Sequence, residues 1–432
     1  SFVTWNIAMT YEPPCYVSYT IKGGRPFVIT NDYTIDCQLG SGGSGVVCSG
    51  THKMTEERVA IKQLFLDGRV ISSVRLLREI KALKFFDHEN IVSLYDMIQI
   101  PNKNFHEIYL VMDYMDCDLG AIISTRTLTI MHIKSLMYQL LRGVKCIHSA
   151  GMIHRDIKPK NLLVTKDCDL KICDFGLARE MSDVGCMTVY VETRWYRAPE
   201  IVMQSQTYGQ EIDMWSVGCT LAEMFLCEPL WKGKDAKHQI DLILQTLGAP
   251  MPEEVEGIGN PDAQKYCIAA AQKWGHQGIF HQMFSRFDPE GVDLLRSLLM
   301  FNPRARADVG TAIEHAFVRP FRDEEPVSAL QFDAELDKDL NDVNNLDFGK
   351  VRQMLYDEML FFHPALKAQL QAEEKKAEEE KKKVDADKAE VVEEASQPAP
   401  SPPSDTASGV ALRSAKEATT LGPVNDGNGV SE

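Results

Sequence analysis

Long apolar runs and an excess of positive charge are both missing from this sequence. No stretch of about 18 or more apolar residues occurs, and a membrane-spanning helix needs about that length. Acidic residues outnumber basic ones by 62 to 46, which gives a formal net charge of −16. This balance argues against a general nucleic-acid binder and against electrostatic docking on anionic membranes. The residues after Ser1 are neither basic nor continuously apolar, so we expect no signal peptide.

The eleven cysteines lack the spacing of a metal site or of a disulfide framework. No Cys-x-x-Cys pair is present, the count is odd, and the residues are scattered from Cys15 to Cys267. Disulfide frameworks belong to short secreted chains, and zinc sites need clustered ligands. We therefore expect free thiols in a reducing compartment, which favours the cytoplasm and the nucleus.

Aromatic residues, methionine and cysteine are all absent from Lys367 to Glu432. This segment carries 9 basic and 14 acidic residues, a net charge of −5 that leaves −11 for residues 1–366. Glu and Lys recur at i,i+4 spacing in residues 373–383, which leaves a solvated helix open there. The Pro-rich stretch Pro398–Pro403 follows. Because so little apolar surface is available for burial, we predict a disordered acidic, Pro/Ser-rich tail for residues 367–432.

The pattern of residues 1–366 predicts a folded α+β protein with two lobes. Two β-rich runs, Cys15–Ile21 and Pro26–Thr30, flank Gly23-Gly24 and predict a β-hairpin in an N-terminal extension of residues 1–32. Further strands are predicted at Tyr33–Leu39, Val46–Ser49, Val59–Gln63 and Glu107–Met112. Helical patterns cover Val74–Phe85, Met131–His148, Glu211–Phe225 and Gln239–Leu247. We therefore expect a small β-rich N-terminal lobe followed by a larger α-helical C-terminal lobe.

A glycine-rich segment follows the first predicted strand of the small lobe. Gly40, Gly42 and Gly45 form a G-x-G-x-x-G motif, and glycines let backbone N–H groups approach phosphates. A strand rather than a helix follows, which disfavours a dinucleotide site. Lys62 comes 17 residues after Gly45, and Glu79 comes another 17 residues later. A Lys held by a helix Glu can clamp nucleotide phosphates. Taken alone, these motifs leave other interpretations open: the glycines could form a flexible turn, Lys62 could be a charge at the edge of a strand, and Glu79 could be a solvated charge on a helix.

The decisive motifs lie in the middle of the chain and occur in a fixed order. His154–Asn161 reads His-Arg-Asp-Ile-Lys-Pro-Lys-Asn, and Asp174-Phe175-Gly176 follows it. Ala198-Pro199-Glu200, the run Asp213–Gly218 and Arg306 come next. With these motifs, residues 33–320 resemble the eukaryotic protein kinases.

This resemblance implies a set of catalytic roles. Asp156 would accept the proton of the substrate hydroxyl group, and Asn161 and Asp174 would hold Mg²⁺ over the phosphates of ATP. Lys62, oriented by Glu79, would contact the inner phosphates of the nucleotide.

The resemblance also assigns the remaining parts of the nucleotide site. Lys158 would neutralise charge at the γ-phosphate, Met112 would be the gatekeeper, and Asp113–Met115 would form the adenine-binding hinge. Glu200 and Arg306 would form a buried structural ion pair. The implied ATP-binding residues are Leu39, Gly40, Ser41, Gly42, Gly43, Ser44, Gly45, Val46, Val47, Ala60, Lys62, Met112, Asp113 and Met115.

The segment between Asp174 and Glu200 resembles the activation lip of the mitogen-activated protein (MAP) kinases. It contains Thr188-Val189-Tyr190, and the resemblance implies that an upstream dual-specificity MAP kinase kinase phosphorylates Thr188 and Tyr190. Each phosphate would add about −1.5 to −2 charge. The residues implied to receive these phosphates are Arg75, Arg78, Arg155 and Arg179 for Thr188, and Arg194 and Arg197 for Tyr190. Val189 is not the usual Glu, Gly or Pro, which leaves the subfamily open.

Residues 321–366 resemble the C-terminal extension of MAP kinases. The extension would wrap back onto the small lobe through Phe332–Asp337 and Val351–Pro364. Asp323, Glu324 and Glu325 lie where the family has an acidic docking patch, which would bind docking-motif proteins and phosphatases. A solvated acidic loop remains the alternative for these three residues.

The sequence therefore predicts a MAP-kinase-like serine/threonine protein kinase. Its substrates would be proteins with Ser/Thr-Pro sites, because Arg194 and Arg197 would shape the pocket beyond the acceptor. A non-catalytic scaffold is disfavoured because the catalytic residue types are all retained. A cyclin-dependent type is disfavoured by Tyr190 and by the C-terminal extension. We expect no direct nucleic-acid or membrane partner.

Overall fold

The computed structural model describes residues 13–21, 26–42, 45–100, 102–180, 194–205, 208–256, 258–322 and 346–395. The chain divides into two units, Ser1–Leu370 and Gln371–Glu432. The predicted α+β class is confirmed, because the first part of the chain is rich in strands and the rest is mainly helical. Several predictions fall outside the described residues, namely those on Gly23, Gly24, Gly43, Ser44, Thr188, Tyr190, Asp323, Glu324, Glu325 and Phe332–Asp337.

The strands and helices follow in chain order. The strands are β1 (Tyr16–Thr20), β2 (Pro26–Thr30), β3 (Tyr33–Gly42), β4 (Gly45–His52), β5 (Arg58–Phe65), β6 (Leu94–Met97), β7 (Glu107–Asp113), β8 (Cys117–Asp118), β9 (Met152–Ile153), β10 (Leu162–Val164), β11 (Leu170–Ile172) and β12 (Arg179–Glu180). The helices are α1 (Val70–Phe85), α2 (Leu119–Thr125), α3 (Ile130–Ser149), α4 (Pro199–Val202), α5 (Glu211–Leu226), α6 (Ala236–Leu247), α7 (Pro252–Val255), α8 (Pro261–Ala269), α9 (Ala271–Trp274), α10 (Phe280–Phe284), α11 (Pro289–Leu298), α12 (Val309–Ile313), α13 (Phe348–Phe362) and α14 (Pro364–Ala395). Short 3-10 turns lie at Pro159–Asn161, Arg194–Tyr196, Pro303–Ala305 and Arg319–Phe321.

The N-terminal lobe is a five-stranded antiparallel sheet in the order β3-β4-β5-β7-β6. The predicted hairpin is formed, since β1 pairs with β2 in antiparallel register. Phe27 and Ile29 of β2 are fully buried in one apolar cluster with Val59 and Ile61 of β5. Because side chains alternate along a strand, Lys62 faces the opposite side of the sheet. The hairpin therefore covers one face of β5 and leaves the other face to the cleft.

Helix α1 begins at Val70, four residues before the start predicted at Val74. Polar residues in its first turn hide the apolar period there. Asp67 stabilises this end of the helix, because its carboxylate accepts hydrogen bonds from the Arg69 backbone N–H at 3.0 Å and from the Ser72 hydroxyl at 2.5 Å. The N-cap residue itself, Arg69, makes no side-chain capping bond, so the sequence carries no capping signal directly before Val70.

The core of the C-terminal lobe is built on α3 and α5. Leu136 and Leu140 of α3 and Trp215 of α5 are fully buried. Trp215 stacks on Trp231, with ring centroids 5.2 Å apart. The sheet β11-β10-β8 and the pair β12-β9 lie in this lobe and carry the sequence motifs. Within the described residues, none of the helices combines the length and apolarity that a bilayer crossing requires.

The C-terminal extension packs on the small lobe through α13, as the resemblance implied. Glu358 of α13 pairs with Lys84 of α1. His363, directly after α13, donates a hydrogen bond to the backbone oxygen of Met97 at 2.7 Å. These contacts fix α13 against the last turn of α1 and the end of β6.

The structure corrects the prediction that disorder begins at residue 367. Helix α14 runs through that boundary and ends at Ala395. The segment is rich in Ala, Glu and Lys, which are strong helix formers, and Glu378/Lys382 and Glu379/Lys383 have stabilising i,i+4 spacing. Helix formation here needs no apolar face, so a shortage of apolar residues was a poor predictor of disorder. Residues 396–432 of the predicted tail lie outside the described residues.

Candidate active site

Lys62 of β5 and Glu79 of α1 form an ion pair at the cleft side of the small lobe. The Lys62 Nζ–Glu79 Oε1 distance is 2.7 Å, and the Glu79 side chain is only 9% exposed. Burial lowers the pKa of Lys62, but the carboxylates of Glu79 and Asp174 outweigh it and raise the pKa above its ordinary value. Lys62 therefore carries a fixed positive charge that faces two acidic groups.

The glycine-rich segment joins β3 to β4 above this pair. Gly40 lies opposite Val47 in the β3–β4 ladder. A Cβ atom on Gly45 would lie 1.8 Å from the backbone oxygen of Gln63, whereas one on Gly40 would meet nothing within 4 Å. Gly45 is thus required for the close approach of β4 to β5, and Gly40 leaves one side of its backbone open.

The side wall and hinge of the cleft come from β5 and β7. Ala60 lies opposite Met112 in the β5–β7 ladder, and Met115 is buried just beyond the end of β7. The Asp113 carboxylate accepts hydrogen bonds from the Ser93 backbone N–H at 2.8 Å and from Lys171 at 2.7 Å. The structure therefore brings together Ala60 and Met112, two of the residues expected to bind ATP, and it gives the Asp113 side chain partners outside the hinge.

Three side chains meet in the loop that contains Asp156. Lys158 Nζ lies 2.6 Å from Asp156 Oδ2, and Asn161 Nδ2 donates to the same oxygen at 2.7 Å. Asn161 Nδ2 also donates to the Asp156 backbone oxygen at 2.9 Å. These bonds hold the Asp156 carboxylate in one orientation. They use the amide nitrogen of Asn161 and leave its amide oxygen for other ligands.

Asp213 of α5 holds the backbone just before Asp156. Its carboxylate accepts hydrogen bonds from the backbone N–H groups of His154 and Arg155, both at 2.8 Å. It also contacts His148 Nε2 at 3.0 Å. Burial raises the pKa of Asp213, but the hydrogen bond from His148 and the nearby His charges prevail and lower it below its ordinary value. The ionised carboxylate stabilises Arg155 at φ +71°, a conformation that non-glycine residues rarely adopt.

Asp213 is a functional residue for which the sequence motif predicted no role. The run Asp213–Gly218 was recognised only as part of the family pattern. The spacing of this motif does not show that the Asp213 carboxylate supports the loop before Asp156. The available signal was an acidic residue flanked by the apolar residues Ile212, Met214 and Trp215, because a fully buried charge needs several partners.

Asp174 adopts a φ of +66°. It directly follows Cys173, which is hydrogen-bonded to the loop that contains Asp156. The backbone N–H of Cys173 donates to the Asn161 backbone oxygen at 3.0 Å. Phe175 is fully buried, with its ring centroid 4.9 Å from that of His154 and 5.4 Å from that of Phe86. The segments that carry Asn161 and Asp174 are therefore joined by backbone hydrogen bonding.

Asn161 and Asp174 are the residues that could hold a divalent cation. Amide and carboxylate oxygens suit a hard cation such as Mg²⁺. Within the described residues, no group of three or more His, Cys, Asp or Glu is placed to hold a metal ion. Mg²⁺ usually keeps one or two carboxylates and takes further ligands from substrate phosphates, so this donor set fits a cation that arrives with a nucleotide.

A shallow hollow lies beside Asp156 on the side of the C-terminal lobe. Arg155 and Arg197 both line it, together with apolar side chains from several elements. Its lining residues are Arg155, Asp156, Ile157, Leu177, Tyr196, Arg197, Ala198, Ile201, Ile212 and Ser216. The mixture of two guanidinium groups with apolar walls suits an extended peptide that carries both a polar and an apolar group.

The other arginines of the predicted phosphate receptor lie on separate elements. Arg75 and Arg78 lie on α1, and Arg179 lies on β12, opposite Ile153 of β9. The pairing of β12 with β9 brings Arg179 close to the backbone that leads into Arg155. Arg194 Nη1 donates to the Lys234 backbone oxygen at 3.1 Å. The structure thus places Arg155 and Arg197 around one hollow and turns Arg194 toward the loop before α6.

Glu200 and Arg306 form a buried bidentate ion pair at the end of this region. The two Arg306 Nη–Glu200 Oε distances are 2.8 and 3.1 Å. Arg306 also donates to the Glu211 backbone oxygen at 2.7 Å and lies over the ring of Trp215 at 5.0 Å. This pair fixes α4 against α5, immediately after the segment that contains Thr188 and Tyr190.

Comparison with known proteins agrees with this geometry. Residues 33–318 match the family model described as the protein kinase domain. The chain is 43% identical over 360 residues to the mitogen-activated protein kinase mpkA of Aspergillus fumigatus. The aligned region covers 81% of this chain and 83% of that protein. It is 43% identical over 351 residues to MPS1 and 40% identical over 346 residues to PMK1, two mitogen-activated protein kinases of Pyricularia oryzae. These matches cover 78% and 77% of this chain, and 82% and 95% of the relatives. With its paired Lys62 and Glu79 and its Asp156 loop, the chain belongs to the MAP kinase family of serine/threonine protein kinases.

Proposed function

We propose that Asp156 is the base that accepts the proton of a Ser or Thr hydroxyl group while the γ-phosphoryl group of ATP is transferred to its oxygen. The observation that carries this assignment is the fixed Asp156 carboxylate, held by Lys158 at 2.6 Å and by Asn161 at 2.7 Å. Phosphoryl transfer depends mainly on positioning and charge neutralisation. Lys158, next to the base, would neutralise negative charge on the γ-phosphate.

The nucleotide is proposed to lie between the glycine-rich segment and the hinge. Lys62 would bind the inner phosphates, because Glu79 holds its Nζ at 2.7 Å and keeps it charged. The open backbone side of Gly40 would face the phosphates. Ala60, Met112 and Met115 would surround the adenine ring with apolar surface.

Asn161 and Asp174 would hold the Mg²⁺ that accompanies ATP. When bound, this cation supplies charge neutralisation to the phosphate oxygens. The protein contributes the positions of its two ligands, which are linked through the Cys173 N–H to Asn161 O hydrogen bond of 3.0 Å.

A preference for Ser/Thr-Pro substrates is supported by the hollow beside Asp156. Ile157, Leu177 and Ile201 give it apolar walls that could receive a proline ring. Arg197 is one of its lining residues, which agrees with the predicted role of this arginine next to the acceptor.

Activation is proposed to follow phosphorylation of Thr188 and Tyr190 by an upstream dual-specificity kinase. Arg155, Arg197 and Arg179 lie near the Asp156 loop on elements that flank this segment. Phosphate bound by arginine makes strong bidentate contacts that can order a loop. Docking through Asp323, Glu324 and Glu325, regulation by phosphatases, and a cytoplasmic and nuclear location complete the proposal.

The test is a phosphotransfer assay on protein phosphorylated at both lip residues, verified by mass spectrometry. We expect transfer to a Ser-Pro peptide, much weaker transfer to the matched Ser-Ala peptide, and a loss of more than about 100-fold for Asp156→Asn. Nucleotide binding should survive in that variant. Thr188→Ala and Tyr190→Phe should each reduce activity steeply. Equal rates for Asp156→Asn and the wild-type protein would exclude Asp156 as the base, and equal rates without lip phosphorylation would exclude the switch.

A further inference from the structure

A polar cluster behind the hinge joins the two lobes at a point that the proposed catalytic residues do not touch. We call it the hinge anchor and define it as Asp113, Lys171, Ser93 and the backbone of residues 90–92. Asp113 lies at the end of β7, in the small lobe, and Lys171 lies in the middle of β11, in the large lobe. Their Oδ2–Nζ distance is 2.7 Å, and their side chains are only 13% and 20% exposed.

The segment that contains Ser93 is bound to the hinge by two hydrogen bonds. The Ser93 backbone N–H donates to Asp113 Oδ2 at 2.8 Å, and the Asp113 N–H donates to the Ser93 oxygen at 3.3 Å. The hydroxyl group of Tyr95 donates to the second oxygen of the same carboxylate. Asp113 is therefore fixed by backbone and side-chain donors on both of its oxygens.

The same segment is bound to β11 on its other side. The Ile172 N–H donates to the Asn90 oxygen at 2.8 Å, and the Val92 N–H donates to the Ile172 oxygen at 3.0 Å. The Asn90 side chain donates to the Leu170 oxygen at 3.0 Å. A Cβ atom at Gly143 of α3 would lie 3.0 Å from the Asn90 oxygen and 2.7 Å from Ile172 Cδ1. The helix therefore packs directly on this junction.

We propose that Lys171 is a positioning residue for nucleotide binding, which acts through Asp113 to set the hinge relative to the strand that leads into Asp174. This inference rests on the proposed nucleotide site. Asp113 belongs to the proposed hinge, and Lys171 precedes Asp174, the proposed metal ligand, by three residues in the chain. The ion pair thus ties the hinge to the strand that leads into Asp174.

The pair acts on binding rather than on the phosphoryl-transfer step. Neither group contacts Asp156, Lys158 or Asn161, and the hydrogen-bond donors to the Asp113 carboxylate are Ser93, Tyr95 and Lys171. Breaking the pair leaves an acidic group with 13% exposure without its cation, and the hinge must then relax to hydrate it. Such relaxation alters the geometry that the nucleotide meets, while the loop that carries Asp156 keeps its hydrogen bonds.

The experiment is a double-mutant cycle of Lys171→Met and Asp113→Asn in the full chain, activated by lip phosphorylation. The readouts are kcat and KM for ATP with a Ser-Pro peptide, and the Kd of MgADP by calorimetry. We expect each single variant to raise KM for ATP and Kd by about three- to tenfold, with kcat within about twofold of wild type. The double variant should bind nucleotide at least as tightly as the single variant with the lower affinity, because the two residues act as one unit. Lys171→Arg should recover most of the affinity.

Lys134→Met is the matched control for the loss of a half-buried lysine ion pair. Lys134 of α3 is 13% exposed and pairs with Asp288 and Glu290 at the start of α11, neither of which belongs to the proposed nucleotide site, so its variant should bind ATP normally. An unchanged MgADP affinity in Lys171→Met, additive effects in the double variant, or a raised kcat at constant KM would overturn the inference. A wild-type protein that binds no nucleotide would instead overturn the proposed function, and this result would be seen before any variant is compared.

Discussion

Glu358 of the C-terminal extension forms an ion pair with Lys84 in the last turn of α1. The ammonium group of Lys84 also lies 4.4 Å from the ring centroid of Phe361. Because α1 presents Glu79 to Lys62, these contacts connect a segment at residues 348–362 to the position of a proposed catalytic group. The extension thus supports the helix from the side opposite to the cleft.

Replacing Lys84 with Met should weaken catalysis without touching the active site. The pair is 22% and 13% exposed, and such partly screened pairs contribute about 0.5–1.5 kcal/mol. We expect kcat/KM to fall about three- to tenfold, with a small drop in Tm, because α1 loses its support. Glu358→Gln should reproduce the effect, measured by steady-state kinetics and thermal unfolding.

The matched control is Lys232→Met, which breaks a surface pair with Glu228 that is 48% and 65% exposed. Exposed pairs of this kind contribute little, so this variant should behave as wild type. If Lys84→Met and Lys232→Met were indistinguishable in kcat/KM, the extension would have no role in positioning α1.

Asp213→Asn should damage both activity and stability, because one carboxylate accepts three hydrogen bonds. An amide has only one oxygen, so its NH₂ group would face the backbone N–H of His154 or Arg155. Two buried N–H donors that face each other have no acceptor, and such an unsatisfied donor lowers the free energy of unfolding by about 1–3 kcal/mol. We expect the free energy of unfolding in urea to fall by that amount and kcat to fall more than about tenfold, since Arg155 loses its support at φ +71°. Normal kcat in a destabilised protein would show that Asp213 is purely structural.

His88 should make stability depend on pH between about 4 and 6.5. Burial and the nearby charges of Arg142 and Lys171 lower the pKa of His88 to about 4, whereas an unfolded histidine titrates near 6.5. Over that interval the unfolded state binds the proton and the folded state does not. The free energy of unfolding therefore decreases as the pH falls from about 6.5 to about 4. Below the folded pKa this contribution changes no further.

The variant His88→Gln removes this titration while keeping an acceptor for the Asn90 backbone N–H, which donates to His88 Nδ1 at 3.0 Å. Urea unfolding at several pH values should give a shallower pH dependence for the variant across this interval. Parallel curves for the two proteins would mean that His88 remains accessible to protons in the folded state.

Arg306→Met should be among the most destabilising single changes. Glu200 is 2% exposed and Arg306 supplies both of its ion-pair hydrogen bonds, at 2.8 and 3.1 Å. Removal of one partner leaves a buried charge and costs about 3–5 kcal/mol. The double variant Glu200→Met/Arg306→Met should recover part of that loss, measured by urea unfolding. A double variant that is less stable than Arg306→Met would contradict this account.

The sequence predicted the parts of the site that rest on local pattern. The spacing of Gly45, Lys62 and Glu79, taken with the resemblance to protein kinases, led to the pairing of Lys62 with Glu79, and the pair is formed at 2.7 Å. The order of the motifs around Asp156 and Asp174 led to the kinase family. In each case the signal is a set of residue types that recur in a fixed order along the chain.

Features that depend on distant partners were not predictable in this way. Asp113 was placed in the hinge from its motif, but its bond to Lys171 joins residues that are far apart in sequence. Helix α14 was predicted only as an alternative to disorder, because a solvated helix has no apolar period to reveal it. Long-range polar contacts require the three-dimensional fold before they can be recognised.

The two faces of β5 make activity a measure of correct folding. Val59 and Ile61 fill the apolar cluster under the hairpin, while Lys62 reaches Glu79 from the other face. A shift of one residue in the pairing of Ile61 with Val111 would exchange these faces. A molecule with that error would bury a charge, expose its core residues and displace Lys62, the proposed ligand of the nucleotide phosphates. In a purified sample, the fraction of molecules that bind nucleotide would therefore equal the fraction in which β5 is paired in the correct register. Titration of the active site would then also measure how much of a refolded sample has folded correctly.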